Sequence, residues 1–174
     1  FVDFQLVATA VDRVLENLSQ VLPYDAASIM VKREGVARII RHSGHEQFGS
    51  DARSIYEYEM DIKDSPLLTA MVDTGKPLYL PDVRGYPGWN VVPTTEWIRS
   101  FIGAPIIFHG EPLGFINVDS AQLEAFTEVH ADRLMAFASQ VSIAIRNARR
   151  ASELEAEVRN RTYELEVERR SLQS

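Results

Sequence analysis

Apolar residues in the last third of the chain recur at helical spacing from Phe126 onward. Neither Pro nor Gly occurs after Gly114, and good helix formers fill the run, so we predict one continuous helix from Phe126 to the end. Its first part carries a broad apolar stripe of the kind that packs on a sheet, formed by Leu134, Phe137, Ala138, Val141, Ile145 and Ala148. Such a helix would be roughly 65 Å long, so a small domain cannot cover all of it.

Beyond this stripe the apolar pattern narrows to a heptad seam. The seam has seven-residue spacing at Ala144, Ala151, Val158, Leu165 and Leu172, with Leu154 on the interleaved position. Arg161 and Glu168 fall on that second position and weaken the seam. We predict a parallel dimeric coiled coil; the alternative is a solvated tail with chance spacing. The predicted dimer contacts are Val141, Ala144, Ala148, Ala151, Leu154, Val158, Leu165 and Leu172.

The N-terminal part of the chain predicts a helix followed by a hairpin. Residues 1–21 have one apolar and one charged side, which predicts a single amphipathic helix that Pro23 ends. Two β-like runs follow, at 26–32 and 36–42. The intervening Arg33-Glu34-Gly35 predicts a tight turn, because Gly adopts positive φ without strain.

The next segment predicts a loop, a strand and a short helix. Residues 43–61 lose periodicity, and Tyr56, Tyr58 and Met60 then alternate like a strand. The following Asp64-Ser65-Pro66 is typical of a helix start, since Asp or Ser can cap the helix and Pro suits its first turn. We expect this helix to end at Gly75.

A long irregular segment precedes the last two predicted strands. A strand at 77–80 leads into the loop 81–90, which carries aromatic residues and is expected to cover something. A helical turn is predicted at 94–97, and strands at 102–108 and 113–119 form a hairpin. Antiparallel hairpins between terminal helices indicate an α+β domain, one sheet backed by those helices.

Composition limits the classes of function. With 174 residues, the chain has room for one domain, which we place at 1–148, and a linker helix at 149–174. The net charge of −7 without a basic run argues against nucleic-acid binding, and no apolar run is long enough to span a membrane. The chain starts at Phe1, so we expect a segment of a longer protein. The absence of cysteine excludes disulfides, thiolate nucleophiles and thioether-linked cofactors.

Several motifs resemble the GAF domain family. The resemblance covers roughly residues 5–148, and its specific part is 97–148. The run Ser100-Phe101-Ile102-Gly103-Ala104-Pro105-Ile106-Ile107, then Gly110-Glu111-Pro112-Leu113-Gly114 and Phe126-Thr127, is similar to the latter half of these domains. Residues 136–148, read as AFASQVSIAIRNA, are similar to their closing helix. The resemblance implies a GAF-like antiparallel sheet in a regulatory sensor, dimeric through its terminal helices.

A second resemblance lies in the tail. Residues 158–166, read as VRNRTYELE, are similar to the Arg-Thr-x-Glu-Leu linker helices that precede the dimerisation helices of bacterial sensor histidine kinases, and that also precede diguanylate cyclase domains. This resemblance implies a coiled-coil signalling linker that leads to an output domain in the same chain, in a two-component histidine kinase or a cyclase.

The GAF resemblance also implies a ligand pocket on the sheet face away from the terminal helices, under residues 43–61 and 81–100. Aromatic residues there would supply apolar walls, and a few polar residues would contact the ligand, which is the usual make-up of a small-ligand site. Arg84 is a further polar candidate. The candidate pocket residues are Phe48, Tyr56, Tyr58, Asp82, Tyr86, Trp89, Trp97, Arg99, Ser100 and Asn117.

The identity of the ligand stays open, but several cofactors are not expected. Cyclic nucleotides are disfavoured, because the family's Asn-Lys…Phe-x3-Asp-Glu signature is absent, and covalent bilin attachment lacks its cysteine. Haem would need an axial ligand from His42, His45, His109 or His130, and the sequence does not indicate any of these four histidines as a haem ligand. His42 and His45, with Glu46, could approach a metal, but a third strong ligand is missing, so we expect no metal site.

We therefore expect a cytoplasmic, non-catalytic sensory module of a signalling protein. A ligand that favours one arrangement of the pocket would shift the terminal helices, and the homodimeric coiled coil would pass this change to a histidine kinase domain. Two alternatives stay open: a ligandless GAF module used for dimerisation, and a sensor for a diguanylate cyclase. A reductase of the methionine sulfoxide type on this fold is opposed by the absence of cysteine.

Overall fold

The structure, a computed structural model, describes residues 4–173 and is built around one antiparallel sheet. Its strands are β1 Ala26–Arg33, β2 Val36–Ser43, β3 Glu59–Asp61, β4 Leu78–Leu80, β5 Ser100–Phe108 and β6 Glu111–Ser120. The six strands are ordered β3-β2-β1-β6-β5-β4, so the long, mostly buried strands β1, β6 and β5 lie at the centre. The short strands β3 and β4 form the two edges.

Helices cover both faces of the sheet. They are α1 Phe4–Ala10, α2 Val14–Val21, α3 Ala52–Tyr56, α4 Pro66–Thr74 and α5 Glu128–Leu172, with 3-10 turns at His45–Phe48, Ile62–Asp64, Val83–Gly85 and Pro93–Thr95. The terminal helices α1, α2 and α5 pack on one face, where they form the largest apolar cluster. The short elements between β2 and β5 cover the other face. The predicted α+β fold, with terminal helices on one side and a cover on the other, is confirmed.

Both long hairpins turn tightly. Glu34 and Gly35 between β1 and β2 have φ of 50° and 79°, and His109 and Gly110 between β5 and β6 have φ of 47° and 80°. Two consecutive residues with positive φ match the right-handed twist of paired strands, as in type I′ turns. Both predicted hairpins are present, and the second is tighter than the four-residue turn expected from the sequence.

The last helix, α5, extends well past the sheet. Thr127 precedes its first residue, and the Thr127 N–H donates to Nδ1 of His130 at 3.1 Å. Leu134, Val141 and Ile145 are buried against the sheet, whereas every residue from Glu153 to Gln173 is exposed. The prediction of an unbroken final helix is confirmed, with its start two residues later than expected. Within residues 4–173, no helix combines the length and apolar character needed to cross a bilayer.

The prediction of one helix over residues 1–21 is wrong for the part that the structure describes. Helices α1 and α2 are separated by a turn in which the N–H groups of Val11 and Asp12 donate three residues back, each at 3.3 Å. The turn buries Val11 completely, and the Asp12 carboxylate accepts from Nε of Arg41 on β2 at 2.6 Å. These tertiary contacts outweigh the local preference for a straight helix. Residues 1–3 lie outside the described residues.

The prediction of a strand at Tyr56 is also wrong. The residue ends α3, which Asp51 caps by accepting from the Ser54 N–H at 2.9 Å. A capped helical turn satisfies backbone groups that an unpaired strand would leave exposed. Pairing with β2 begins only at Glu59, so Tyr58 lies in the connection between the two elements. The helical turn expected at 94–97 is a 3-10 turn at Pro93–Thr95.

The predicted helix after Asp64 is present as α4. The Ser65 Oγ accepts from the Leu68 N–H at 3.2 Å, Pro66 occupies the first turn, and Gly75 ends the helix with φ of 64°. This agreement shows that local capping chemistry alone determined both ends of α4.

Candidate functional site

A cavity lies between the sheet and its cover, and the central strands form its floor. Alternate residues of a strand share one face, so Phe115, Asn117 and Asp119 of β6 point away from α5. On β1, Ser28 pairs with Asn117 and Met30 pairs with Phe115, which extends the same floor. All five side chains are buried.

Two cover segments close the cavity from above. Ser50 donates to the Thr94 carbonyl at 3.4 Å, and the ring of Phe48 stacks on Trp97 with centroids 3.8 Å apart. These contacts join residues 45–58 to residues 88–98. The loop also approaches α4 closely, because a Cβ on Gly88 would lie 2.7 Å from Cβ of Pro66.

The cavity has a volume of about 190 Å³, and its lining is partly polar and partly apolar. Ser28, His45, Asn117 and Asp119 lie together and form what we call its polar end. The apolar lining residues lie around this group and not at one opposite end, because Phe101 pairs with Asp119 and Met30 pairs with Phe115. The other apolar lining residues are Ile39, Leu68, Trp89 and Ile98. A small organic molecule with one polar group fits such a lining.

A bulge in the β1–β2 ladder and a short turn bring histidines to the polar end. The register shifts opposite Ile29 and Met30, so His42 pairs with Ser28 on the cavity side while its neighbour Arg41 reaches the α1–α2 turn on the other side. His45 follows Gly44, whose φ is 85° and at which a Cβ would meet the Asp25 carbonyl oxygen at 2.0 Å. Only glycine fits there, and the tight turn directs His45 over the floor.

The polar end holds an unusual pair of ionisable groups. Nε2 of His45 lies 3.9 Å from Oδ2 of Asp119, too far for a hydrogen bond. Burial raises the pKa of Asp119 to about 8. Burial, and then the neighbouring His42, lower the pKa of His45 to about 4. At neutral pH both side chains are therefore mainly uncharged.

Oδ1 of Asn117 is buried without a hydrogen-bond partner among the described residues. Buried polar atoms are nearly always paired, so an unpaired atom on a residue that lines a cavity distinguishes this region from an ordinary core. The Asp119 carboxyl also lines the cavity and can accept hydrogen bonds from a molecule that enters it.

Three of the ten predicted pocket residues line this cavity: Tyr58, Trp89 and Asn117. Phe48 and Trp97 stack on each other in the cover, and Tyr56 packs edge-on against His42 with centroids 4.7 Å apart. These aromatic residues hold the cover together and do not line the cavity.

The other four predicted residues are not among those that line the cavity; three lie between β4 and β5, and Ser100 is the first residue of β5. Asp82 accepts from the Arg84 N–H at 3.0 Å and Ser100 donates to the Gln122 carbonyl at 2.6 Å, so both organise local turns. Tyr86 packs in the small apolar cluster beside Trp89 and borders a separate surface depression with Asp82. The backbone of Arg99 joins two segments, donating to Ser120 at 2.8 Å and accepting from Val83 at 2.9 Å.

Sequence reasoning missed the polar floor residues Ser28 and Asp119 as pocket residues, and it considered His45 only as a haem or metal ligand. A signal for Asp119 was present, because it follows Asn117 by two residues on one strand and must share its face. Among residues 4–173, no three His, Cys, Asp or Glu side chains are grouped so as to hold a metal ion.

The predicted dimer residues divide into two sets along α5. Val141 and Ala148 are buried against their own sheet, with 1% and 8% of their surface exposed, and Ala144 is half-buried. Leu154, Val158, Leu165 and Leu172 are each more than half exposed, and Ala151 is exposed. At about 100° per residue, Val129 and Ile143 lie on the same side of α5 as the exposed set, and both are also more than half exposed. The exposed stripe of α5 therefore comprises Val129, Ile143, Leu154, Val158, Leu165 and Leu172.

The chain is similar in fold to several solved structures. It aligns with the type II free methionine-R-sulfoxide reductase from Thermoplasma acidophilum at 19% identity, covering 83% of this chain and 95% of the other, with a TM-score of 0.68. It also aligns with the GAF domain/HD domain protein from Geobacter sulfurreducens (13% identity, 82% and 93% covered, TM-score 0.70). The GAF domain of a phosphoenolpyruvate-protein phosphotransferase from Coxiella burnetii aligns at 17% identity, covering 87% of this chain and 99% of the other, with a TM-score of 0.67.

No curated protein matches the chain. A family model described as "GAF domain" matches residues 6–146, which is more than half of the chain and includes every strand and the cavity. This match agrees with the motifs noted between residues 97 and 148. The chain therefore belongs to the GAF domain family.

Proposed function

We propose that this chain is the small-molecule-sensing domain of a bacterial signalling protein, and that the cavity under the cover binds the ligand. The observation that carries this proposal is the buried polar end, where Oδ1 of Asn117 has no partner in the described chain and the Asp119 carboxyl faces the cavity. A purely structural core would bury apolar side chains at these two positions, because an unsatisfied polar group costs about 1–3 kcal/mol.

The central strands connect the cavity with α5. Asn117 and Asp119 face the ligand side, whereas their neighbours Ile116 and Val118 belong to the apolar cluster that contains Val141 and other α5 residues. A ligand that changes the position of β6 therefore acts on α5 through the thickness of one sheet. Such coupling is typically about 1–3 kcal/mol, and it requires that the ligand bind the two arrangements unequally.

The exposed stripe of α5 is the proposed dimer interface. Burial ends after Ser152, which supports a sensory domain at 1–148 and a coiled-coil linker at 149–174. Because Val141 and Ala148 already pack on their own sheet, Val129 and Ile143 take their place in the proposed interface. The imperfect positions Arg161 and Glu168 would keep its register adjustable.

The proposed output is a histidine kinase domain, with a diguanylate cyclase as the alternative. The support is the similarity of residues 158–166 to the linker helices of both classes. In this proposal the chain itself is not catalytic and works in the cytoplasm, where such output domains act. The chain has no cysteine, so thiol-based reductase chemistry of the kind expected for a methionine sulfoxide reductase is closed to it.

Ligand binding is tested by native mass spectrometry and thermal unfolding of the purified chain. Ser28→Leu places an isobutyl group in the polar end of the cavity, and Ser19→Leu makes the same change on the exposed side of α2. We expect a bound molecule, or a stabilising added one, to be lost in Ser28→Leu and kept in Ser19→Leu. Equal behaviour of both variants and the wild type, without any ligand, would count against sensing.

Dimerisation is tested with two matched changes in the linker. Leu165→Glu introduces a charge on the exposed stripe, and Val167→Glu introduces it on the opposite side of the same helix, where Val167 is 49% exposed. Light scattering should show a dimer for the wild type and Val167→Glu, and a shift to monomer for Leu165→Glu. A monomeric wild type at high concentration would contradict the proposed interface.

The second candidate is a ligandless module for dimerisation. The packing of Phe48 on Trp97 favours it to some degree, because these two aromatic residues stabilise the cover without any ligand. In that case Ser28→Leu should raise the free energy of unfolding by filling the cavity, and no small molecule should change it. A ligand-dependent increase in stability of the wild type would decide for sensing.

A further inference from the structure

We infer that the cavity selects a small organic amine, bound through its ammonium group to Asp119, with its apolar body against the apolar side chains that line the rest of the cavity. This inference rests on the proposed function and names the chemical class of the ligand. It follows from the charges around the cavity, from the hydrogen-bonding groups at its polar end, and from its size.

The charges around the cavity favour a cation. None of the residues that line it in the described part of the chain is Lys or Arg, whereas Asp119 contributes a carboxyl group. A buried anionic ligand would therefore have no permanent positive charge beside it, and it could gain one only by protonating His45, whose pKa burial lowers to about 4. A zwitterionic amino acid is disfavoured for the same reason, because its carboxylate would lack a partner.

The Asp119 carboxyl favours a donor. Asp119 lines the cavity and is 6% exposed, and no Lys or Arg among the described lining residues pairs with it. An ammonium group has three donors and no acceptor, which matches a carboxylate better than another carboxylate or a carbonyl does.

The apolar lining limits the body of the ligand. Met30, Leu68, Trp89 and Phe101 are among the residues that line the cavity, whose volume is about 190 Å³. An apolar cavity of about 150 Å³ is large enough for benzene. A phenyl ring or a branched chain of about five carbons, with the amine at one end, therefore fits the space.

Binding of a cation should release a proton. Burial raises the pKa of Asp119 to about 8, so the empty site is mostly protonated at pH 7, and an ammonium group would favour the carboxylate. The ionisable groups around Asp119 are His45 at 3.9 Å, Tyr58 in the cavity wall and Asp25, which accepts from Oγ of the adjacent Ser120. His42 lies behind His45, and Glu46 lies beside His42. With its pKa near 4, His45 does not titrate near neutral pH.

The test is calorimetric titration of the purified chain with four probes. Phenethylamine and 3-methylbutylamine carry the proposed ammonium group, 2-phenylethanol is a neutral analogue and 3-phenylpropionate is an anionic one. We expect the amines to bind at least 10-fold more tightly than the alcohol, and the anion not to bind. Titration at pH 7 in two buffers of different ionisation enthalpy should show release of close to one proton per amine.

Asp119→Asn removes the charge but keeps the shape, and it should weaken amine binding roughly 10- to 100-fold, as expected for a charge-assisted hydrogen bond. It should leave binding of the alcohol nearly unchanged. Asp73→Asn, on the exposed side of α4, is the matched control and should change neither the affinity for the amines nor that for the alcohol. Equal binding of amine and alcohol, or unchanged amine binding in Asp119→Asn, would overturn the inference.

The failure of this inference is distinguishable from failure of the proposed function. If the chain retains a neutral or anionic molecule that is lost in Ser28→Leu, sensing stands and the amine class is overturned. If neither amine binds at millimolar concentration and no molecule is retained, the sensing function and the amine class are both overturned. If the amines bind and Ser28→Leu abolishes binding, the sensing function and the amine class are both supported.

Discussion

Replacing Asp119 by Asn should change how stability depends on pH. Burial raises the pKa of Asp119 from 3.8 to about 8, so folding takes up a proton between these values and stability is lost as pH rises through 8. The pKa of His45 is lowered from 6.5 to about 4, so its contribution has the opposite sign and is lost as pH falls from 6.5 toward 4. His42, whose pKa burial also lowers, acts in the same acid window.

Below pH 6.5 the effects of Asp119 and His45 largely cancel, and His42 adds a loss of stability as pH falls; above pH 6.5 Asp119 is the group that dominates. One protonation difference is worth about 1.4 kcal/mol per pH unit, so the wild type should lose about 2 kcal/mol between pH 6.5 and 8. In Asp119→Asn that loss should disappear. The uncompensated His45 should then make the variant lose about 3 kcal/mol between pH 6.5 and 4.

The measurement is urea unfolding followed by the fluorescence of Trp89 and Trp97, at fixed protein concentration and at half-unit steps from pH 4 to pH 8.5. Asp73→Asn is the control, because its carboxylate is exposed and should leave the profile of the wild type unchanged. A wild-type free energy of unfolding that is flat from pH 6.5 to 8, or an Asn variant that keeps the decline, would refute the reasoning about Asp119.

Three further predictions concern packing and capping. Gly103→Ala should lower the free energy of unfolding by about 1–3 kcal/mol in chemical denaturation, because the new Cβ would lie 2.7 Å from Cζ of Phe101 and 2.8 Å from Sδ of Met71. Gly85→Ala is the control, because a Cβ at Gly85 would have no other atom within 4 Å, and it should change the free energy of unfolding by no more than about 0.5 kcal/mol. An equal loss of stability in Gly85→Ala and Gly103→Ala would contradict the packing argument. Ser65→Ala should cost about 1 kcal/mol in the same assay by removing the cap of α4, and an unchanged midpoint would show that the cap is dispensable.

The parts of the fold that the sequence predicted are those decided by local chemistry. The cap at Ser65, the glycine at 75 and the two hairpins follow from groups within a few residues of one another. The break between α1 and α2 depends instead on Arg41, which is distant in sequence and binds Asp12. Tyr56 alternated with its neighbours like a strand residue, but the Asp51 cap determined a helix.

The predicted pocket and the cavity lie on the same face of the sheet, but they share only some of their residues. The sequence indicated the correct sheet face and cover segments, and Asn117, Trp89 and Tyr58 do line the cavity. Aromatic residues in the cover were expected to face a ligand, but Phe48 and Trp97 gain more by stacking on each other. The floor residue Asp119 lies at the polar end of a strand in the sequence; its spacing from Asn117 indicates the shared face, and the strand pairing then shows that it is buried.

The unsupported part of α5 converts small rotations into large displacements. About 36 Å of helix lies beyond Ala148 at roughly 1.5 Å per residue, and only the part before it is clamped by the sheet. A tilt of about 5° at the clamp would move the far end by roughly 3 Å over such an arm. The arm acts as a lever, so a movement at the sheet that is small in the strands themselves becomes several times larger at the far end of α5.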